Sequence, residues 1–192
     1  MLDFSETNKW DELKRSIGVT PEQDNQFDEF FDRAEIELCT GRDTETLVPL
    51  MESQFGLRFP PNYSFLSDFV NRFERNESIW PLLKAVKEKY KVGLLTNMYP
   101  HMLDREYEAG LLPQIEWDVI IDSSVEKVQK PQVEIFQLAE EQCGFHGQEI
   151  LFVENTKRNV EVAQTFGWQT FLYDPRNVVE SNRNLKVILL EQ

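Results

Sequence analysis

Apolar and polar positions along this chain follow two regimes that meet near Ser78. Before it, the apolar residues recur at spacings of three and four, which gathers them on one face of a helix. Residues 8 to 17 carry Trp10, Leu13 and Ile17. Phe27, Phe30, Phe31 and Ala34 make a second face, Leu47, Leu50 and Met51 a third, and Phe65, Phe69 and Phe73, within 62–73, a fourth. The punctuation agrees with this pattern. Thr20-Pro21-Glu22-Gln23 reads as a helix start, with Thr20 as cap, Pro21 in the first turn and Gln23 able to complete a capping box. Asp43 or Thr44 starts the next helix, Gly41 and Gly56 follow helix ends, and Pro60-Pro61 breaks the chain. Residues 8–77 are therefore predicted to form a helical region whose phenylalanine-rich faces bury one another.

After Ser78 short β-rich runs alternate with helical stretches. Ile79, Leu82, Leu83 and Val86 mark a helix ending by Tyr90, and the predicted strands are 92–95, 118–122, 150–153 and 169–173. Between them lie helices over 101–109, through Ile135, Phe136, Leu138 and Ala139, and through Val160, Ala163 and Phe166, stopped by Gly110, Gly144 and Gly167. An amphipathic tail covers 185–190. Continuous apolar strands joined by helical crossovers are the pattern of a parallel sheet covered on both faces, so the fold class is α/β, with a Rossmann-like core over 78–192.

In such a sheet, ligands sit beyond the carboxyl ends of the strands. Three polar points fall there or just after: Thr96-Asn97, Lys130 and Glu154-Asn155. A hydroxyl, an ammonium and an acid–amide pair, brought together, would hold a phosphate. The hydroxyl and helix-start N–H groups donate to its oxygens, the lysine neutralises charge, and the acid and amide can ligate Mg²⁺ through oxygen. Each residue also has an ordinary reading. Asn97 can cap a helix, a lone lysine is usually solvated, and an acid at a helix start is favourable through the dipole. Asp122-Ser123-Ser124 could line the mouth of a site. His101 and His146 show no metal-ligand spacing and read as surface residues.

A net charge of −14 argues against nucleic-acid and anionic-membrane partners, which select basic surfaces. No window approaches the roughly 18 apolar residues of a membrane helix. The start has neither the basic nor the apolar segment of a signal peptide. Two cysteines, Cys39 and Cys143, read as reduced thiols and suggest a cytoplasmic setting.

The runs VGLLTN, SSVEKVQKPQVEIFQLAEEQCG and ILFVENTKRNVEVAQTFGW resemble the second, third and fourth motifs of the haloacid dehalogenase-like (HAD) hydrolases. The helical stretch resembles the cap of the subgroup containing sugar-phosphate phosphatases and the amino-terminal domain of soluble epoxide hydrolase. The resemblance implies an 8–77 helical cap, a small phosphorylated metabolite as substrate, and attack on phosphorus by an aspartate. It gives Thr96 to the phosphoryl group, Lys130 to charge neutralisation, and Glu154 and Asn155 to Mg²⁺, with Asn97 beside Thr96 as a further catalytic candidate. The family carries two aspartates at that last position. Glu154 is longer and Asn155 uncharged, so weaker Mg²⁺ binding is expected.

The family's first strand and its Asp-x-Asp nucleophile motif are expected to be missing here. The only similar string, Asp3-Phe4-Ser5, would put a serine where the general acid belongs. In the family that strand lies between those matching 92–95 and 150–153. These two are therefore expected to close on each other, or to have the slot filled by another segment, for example from a second chain in a homodimer. Two functional expectations stand side by side: a phosphohydrolase, and a non-catalytic phosphate-binding or interaction module.

Overall fold

A computed structural model describes residues 8–191. The chain begins with α1 (Lys9–Ile17), α2 (Asp24–Leu38), α3 (Leu47–Phe55), α4 (Phe65–Val70) and α5 (Trp80–Lys87). Then come β1 (Gly93–Thr96), α6 (Met102–Glu108), β2 (Val119–Asp122), α7 (Ser123–Glu126) and α8 (Val133–Cys143). It ends with β3 (Leu151–Glu154), α9 (Lys157–Thr165), β4 (Gln169–Leu172) and α10 (Val178–Leu190). The chain divides into two compact units. One takes Asn76–Asn97 and everything from Pro113 onward; the other takes the described residues up to Arg75 together with Met98–Leu112.

The second unit is all helical. Leu13, Phe27, Leu38, Leu47, Met51 and Phe65 are fully enclosed in one apolar cluster. Rings meet at 4.5 Å for Trp10 with Phe31 and 5.1 Å for Phe27 with Phe55. Lys14, on the buried face of α1, reaches Asp24 at 2.7 Å and Asp28 at 2.9 Å, so its charge is paired where burial would otherwise be costly. Two helices begin later than the sequence suggests. Gln23 does bond back to the Thr20 N–H at 3.1 Å, but 21–23 form a turn and α2 starts at Asp24. α4 starts only after Ser64, whose hydroxyl caps it, and stops at Val70; Phe73 packs from beyond its end. Met98–Leu112, read from sequence with the α/β region, clusters with this helical unit: Met98, Tyr99, Met102 and Leu111 join its core, and Tyr99 bonds Glu35 at 3.1 Å.

The first unit is α/β with parallel strands. β1 pairs with β2, Thr96 opposite Asp122, and β3 pairs with β4, Glu154 opposite Leu172. Side chains alternate between two cores. Leu95 and Phe152 pack with Ile121, Phe136 and Trp168; Val92, Leu151 and Val153 pack with Leu82, Val86, Tyr173 and Leu185. The first of the two expected arrangements is corrected here: β1 and β3 do not close on each other, and among the described residues the strands form two separate two-stranded ladders. Shared apolar cores hold the ladders in one unit without a backbone ladder between them. Residues 1–7, which include the Asp3-Phe4-Ser5 string, lie outside the described residues.

Gly93 shows how tightly β1 meets β2. A Cβ there would fall 2.5 Å from Val119 Cγ1 and 3.1 Å from the Val119 carbonyl oxygen. Gly93→Ala is expected to cost about 1–3 kcal/mol through this overlap. The check is the midpoint of urea unfolding followed by tryptophan fluorescence.

Candidate functional site

The strand-end residues assemble from the backbone outward. β1 ends at Thr96, and the next side chain, Asn97, clamps the Lys130 backbone. Asn97 Nδ2 donates to the Lys130 carbonyl at 2.9 Å, and its Oδ1 accepts from the Lys130 N–H at 2.9 Å. This reciprocal pair fixes the loop before α8 against the end of the β1–β2 ladder. The Lys130–Pro131 peptide within it is cis.

From that anchor the Lys130 ammonium extends to Glu154, at the end of β3, at 2.6 Å. Both side chains are largely enclosed, 10% and 5% exposed, so the charges must be compensated locally. Glu154 is compensated on every side. Oε2 accepts from Lys130 and from Asn159 Nδ2 at 3.3 Å, while Oε1 accepts from the Asn155 and Thr156 N–H groups at 2.8 and 3.0 Å. The last two belong to the turn that leads into α9, so the carboxylate occupies the anion-favouring end of that helix. Burial pushes the Glu154 carboxyl up, but the Lys130 charge and these hydrogen bonds outweigh it and hold it below the ordinary value of 4.5. Lys130 Nζ also lies 5.6 Å from the Phe152 ring centroid, a cation–π contact.

The structure thus brings Asn97, Lys130, Glu154 and the Asn155 backbone into one cluster, with Thr96 next to Asn97 at the strand end. Asp122 accepts from the Ser124 N–H at 2.8 Å and caps α7. His101 and His146 are exposed, and His146 Nδ1 lies 3.2 Å from Glu140. Asn159 was not singled out from sequence. Its signal was available: a polar residue four positions before Ala163, on the buried stripe of α9.

Parallel strands with a polar cluster beyond their carboxyl ends, joined in one chain to an all-helical unit, define an α/β protein with its polar residues gathered where open parallel sheets carry their sites. Residues 63–167, more than half of the chain, match the model of the haloacid dehalogenase-like hydrolases, and the chain belongs to that family. No curated protein matches it in sequence. Among solved structures it is similar to the HAD family enzyme BT-2542 of Bacteroides thetaiotaomicron, at 19% identity and TM-score 0.73, over 91% of this chain and 88% of that one. That enzyme has also been solved in complex with magnesium and inorganic phosphate. A predicted HAD-like family hydrolase of Porphyromonas gingivalis aligns at 22% identity and TM-score 0.74, covering 96% and 90%. The L-2-haloacid dehalogenase of Xanthobacter autotrophicus aligns at 23% and 0.58, covering 88% and 71%. At these identities the likeness is one of fold. None of the described helices is long and apolar enough to cross a membrane.

Because the Glu154 carboxyl titrates below its ordinary value, the stability it contributes is present at neutral pH and is lost as acid protonates it, below pH 4.5. Glu154→Gln removes one partner of a buried pair and is expected to cost about 3–5 kcal/mol at pH 7. It should also flatten the acid limb of the stability curve, as measured by urea unfolding between neutral and acidic pH.

Proposed function

We propose that this chain is a phosphomonoester hydrolase of the HAD family acting on a small phosphorylated metabolite. The observation that carries this reading is the Asn97–Lys130–Glu154 cluster at the strand ends. An ammonium has three donors, and Glu154 takes one, which leaves Lys130 able to reach an anion. Thr96, at the end of β1 and next to Asn97 in the chain, would supply a hydroxyl. Asn97 positions Lys130, and through it the charge that would stabilise a developing phosphoryl transition state. The phosphate held by BT-2542 is consistent with such a ligand.

Magnesium is the cofactor that the resemblance implies. The donors present do not fit a direct ion site: all acceptor positions of Glu154 are in use, and the described residues hold no group of three His, Cys, Asp or Glu side chains suited to a metal.

The second reading, a non-catalytic phosphate-binding or interaction module, is favoured by one observation. The described carboxylate that faces Lys130 is Glu154, and a carboxylate held by four donors is a poor nucleophile. Hydrolysis of an aryl phosphate by the full chain separates the two. The first reading expects turnover that falls at least about 100-fold in Lys130→Ala. Turnover unchanged in that variant would remove Lys130 from the reaction, and phosphate binding without turnover would favour the second.

A further inference from the structure

We infer that the Lys130 ammonium occupies, against Glu154, the place of a divalent cation, so that this strand-end site takes its anion without a metal. The inference rests on reading the cluster as an anion site, and it concerns which positive group serves there.

A carboxylate offers about four in-plane acceptor positions. Glu154 has four donors on them: the Lys130 ammonium at 2.6 Å, the Asn159 amide at 3.3 Å and two backbone N–H groups at 2.8 and 3.0 Å. Magnesium demands near-octahedral oxygen coordination at about 2.0–2.1 Å and gives up its water reluctantly. To bind Glu154 directly it would have to displace one of these donors. Three of the four are fixed by covalent structure close by: Asn155 and Thr156 N–H lie in the turn that follows, and Asn159 lies in the first turn of α9. The fourth, Lys130, is fixed by the two Asn97 bonds on its own backbone. Releasing it would leave an ammonium 10% exposed with its counter-charge claimed by a competing cation. Asn155, the other acid–amide position, has no charge to add. The glutamate's extra methylene and the asparagine's neutral amide thus describe a site closed around a lysine.

The test uses the unmodified full chain and two probes, magnesium chloride and inorganic phosphate. Amide ¹⁵N shifts of Asn155 and Thr156 report on Glu154 directly, because their N–H groups bond its carboxylate. Titration with magnesium to about 10 mM, against sodium chloride of equal ionic strength, is expected to give no saturable shift at these two amides. Phosphate affinity by calorimetry is expected to change less than about twofold when magnesium is added. A saturable magnesium shift at Asn155 and Thr156, or a phosphate affinity raised about tenfold or more by magnesium, would overturn the inference. If phosphate does not bind under either condition, the anion-site reading fails, and the metal-free anion site fails with it. The amide titration still reports separately whether Glu154 accepts the metal.

Discussion

A buried ion pair ties together two ladders that share no described backbone hydrogen bond. β1–β2 and β3–β4 are separate ladders, and no described backbone hydrogen bond runs from β1 to β3. The polar connection between them starts at Asn97 after β1, passes through the Lys130 backbone, and crosses from the Lys130 ammonium to Glu154 at the end of β3. Neither charge would tolerate this enclosure alone. The lysine is held in place by an amide on its main chain, and the glutamate by three further donors, so both ends are fixed before they meet. A weakly anchored pair would contribute little, because desolvation would cancel the attraction.

The apolar contacts follow the same division of labour. On β3, Phe152 points into one core and Leu151 and Val153 into the other, and Leu95 on β1 and Val92 just before it go to the same two cores. Period-two alternation therefore sends side chains to both cores, while Ile120 on β2 and Leu172 on β4 stay exposed. In the helical unit the counterpart is a set of interlocked rings with Lys14 paired among Asp11, Asp24 and Asp28.

Site and scaffold share residues closely here. Glu154 ends a strand, accepts the N–H groups of the turn into α9, and balances the lysine that would meet a ligand. Asn97 spends one amide hydrogen and one oxygen lone pair on the two polar atoms of the Lys130 backbone. These two bonds fix the position of the Lys130 backbone. A closed hydrogen-bond ring of the same character steadies another corner of the α/β unit. Asn76 donates to the Tyr173 hydroxyl, which donates to Asn182, and Asn182 returns through Ser78 to Asn76.

By itself the sequence determined the type of nearly every long element, because helix and strand periods are local properties of neighbouring side chains. It also pointed to Thr96 and Glu154, since apolar runs that stop at polar residues mark strand ends, and to Lys130 through the motif that follows a strand. It placed the starts of α2 and α4 too early, because capping motifs compete with tight turns and the winner depends on packing. Only the tertiary structure decided that 98–112 clusters with the helical unit, where Tyr99 finds Glu35 and the aromatic core. Only it decided that β1 and β3 do not pair with each other, and that Asn159 completes the shell around Glu154. Those outcomes depend on which partners meet across long stretches of chain, and that choice is made by burial and by the need to satisfy each enclosed polar group, neither of which has a period to read.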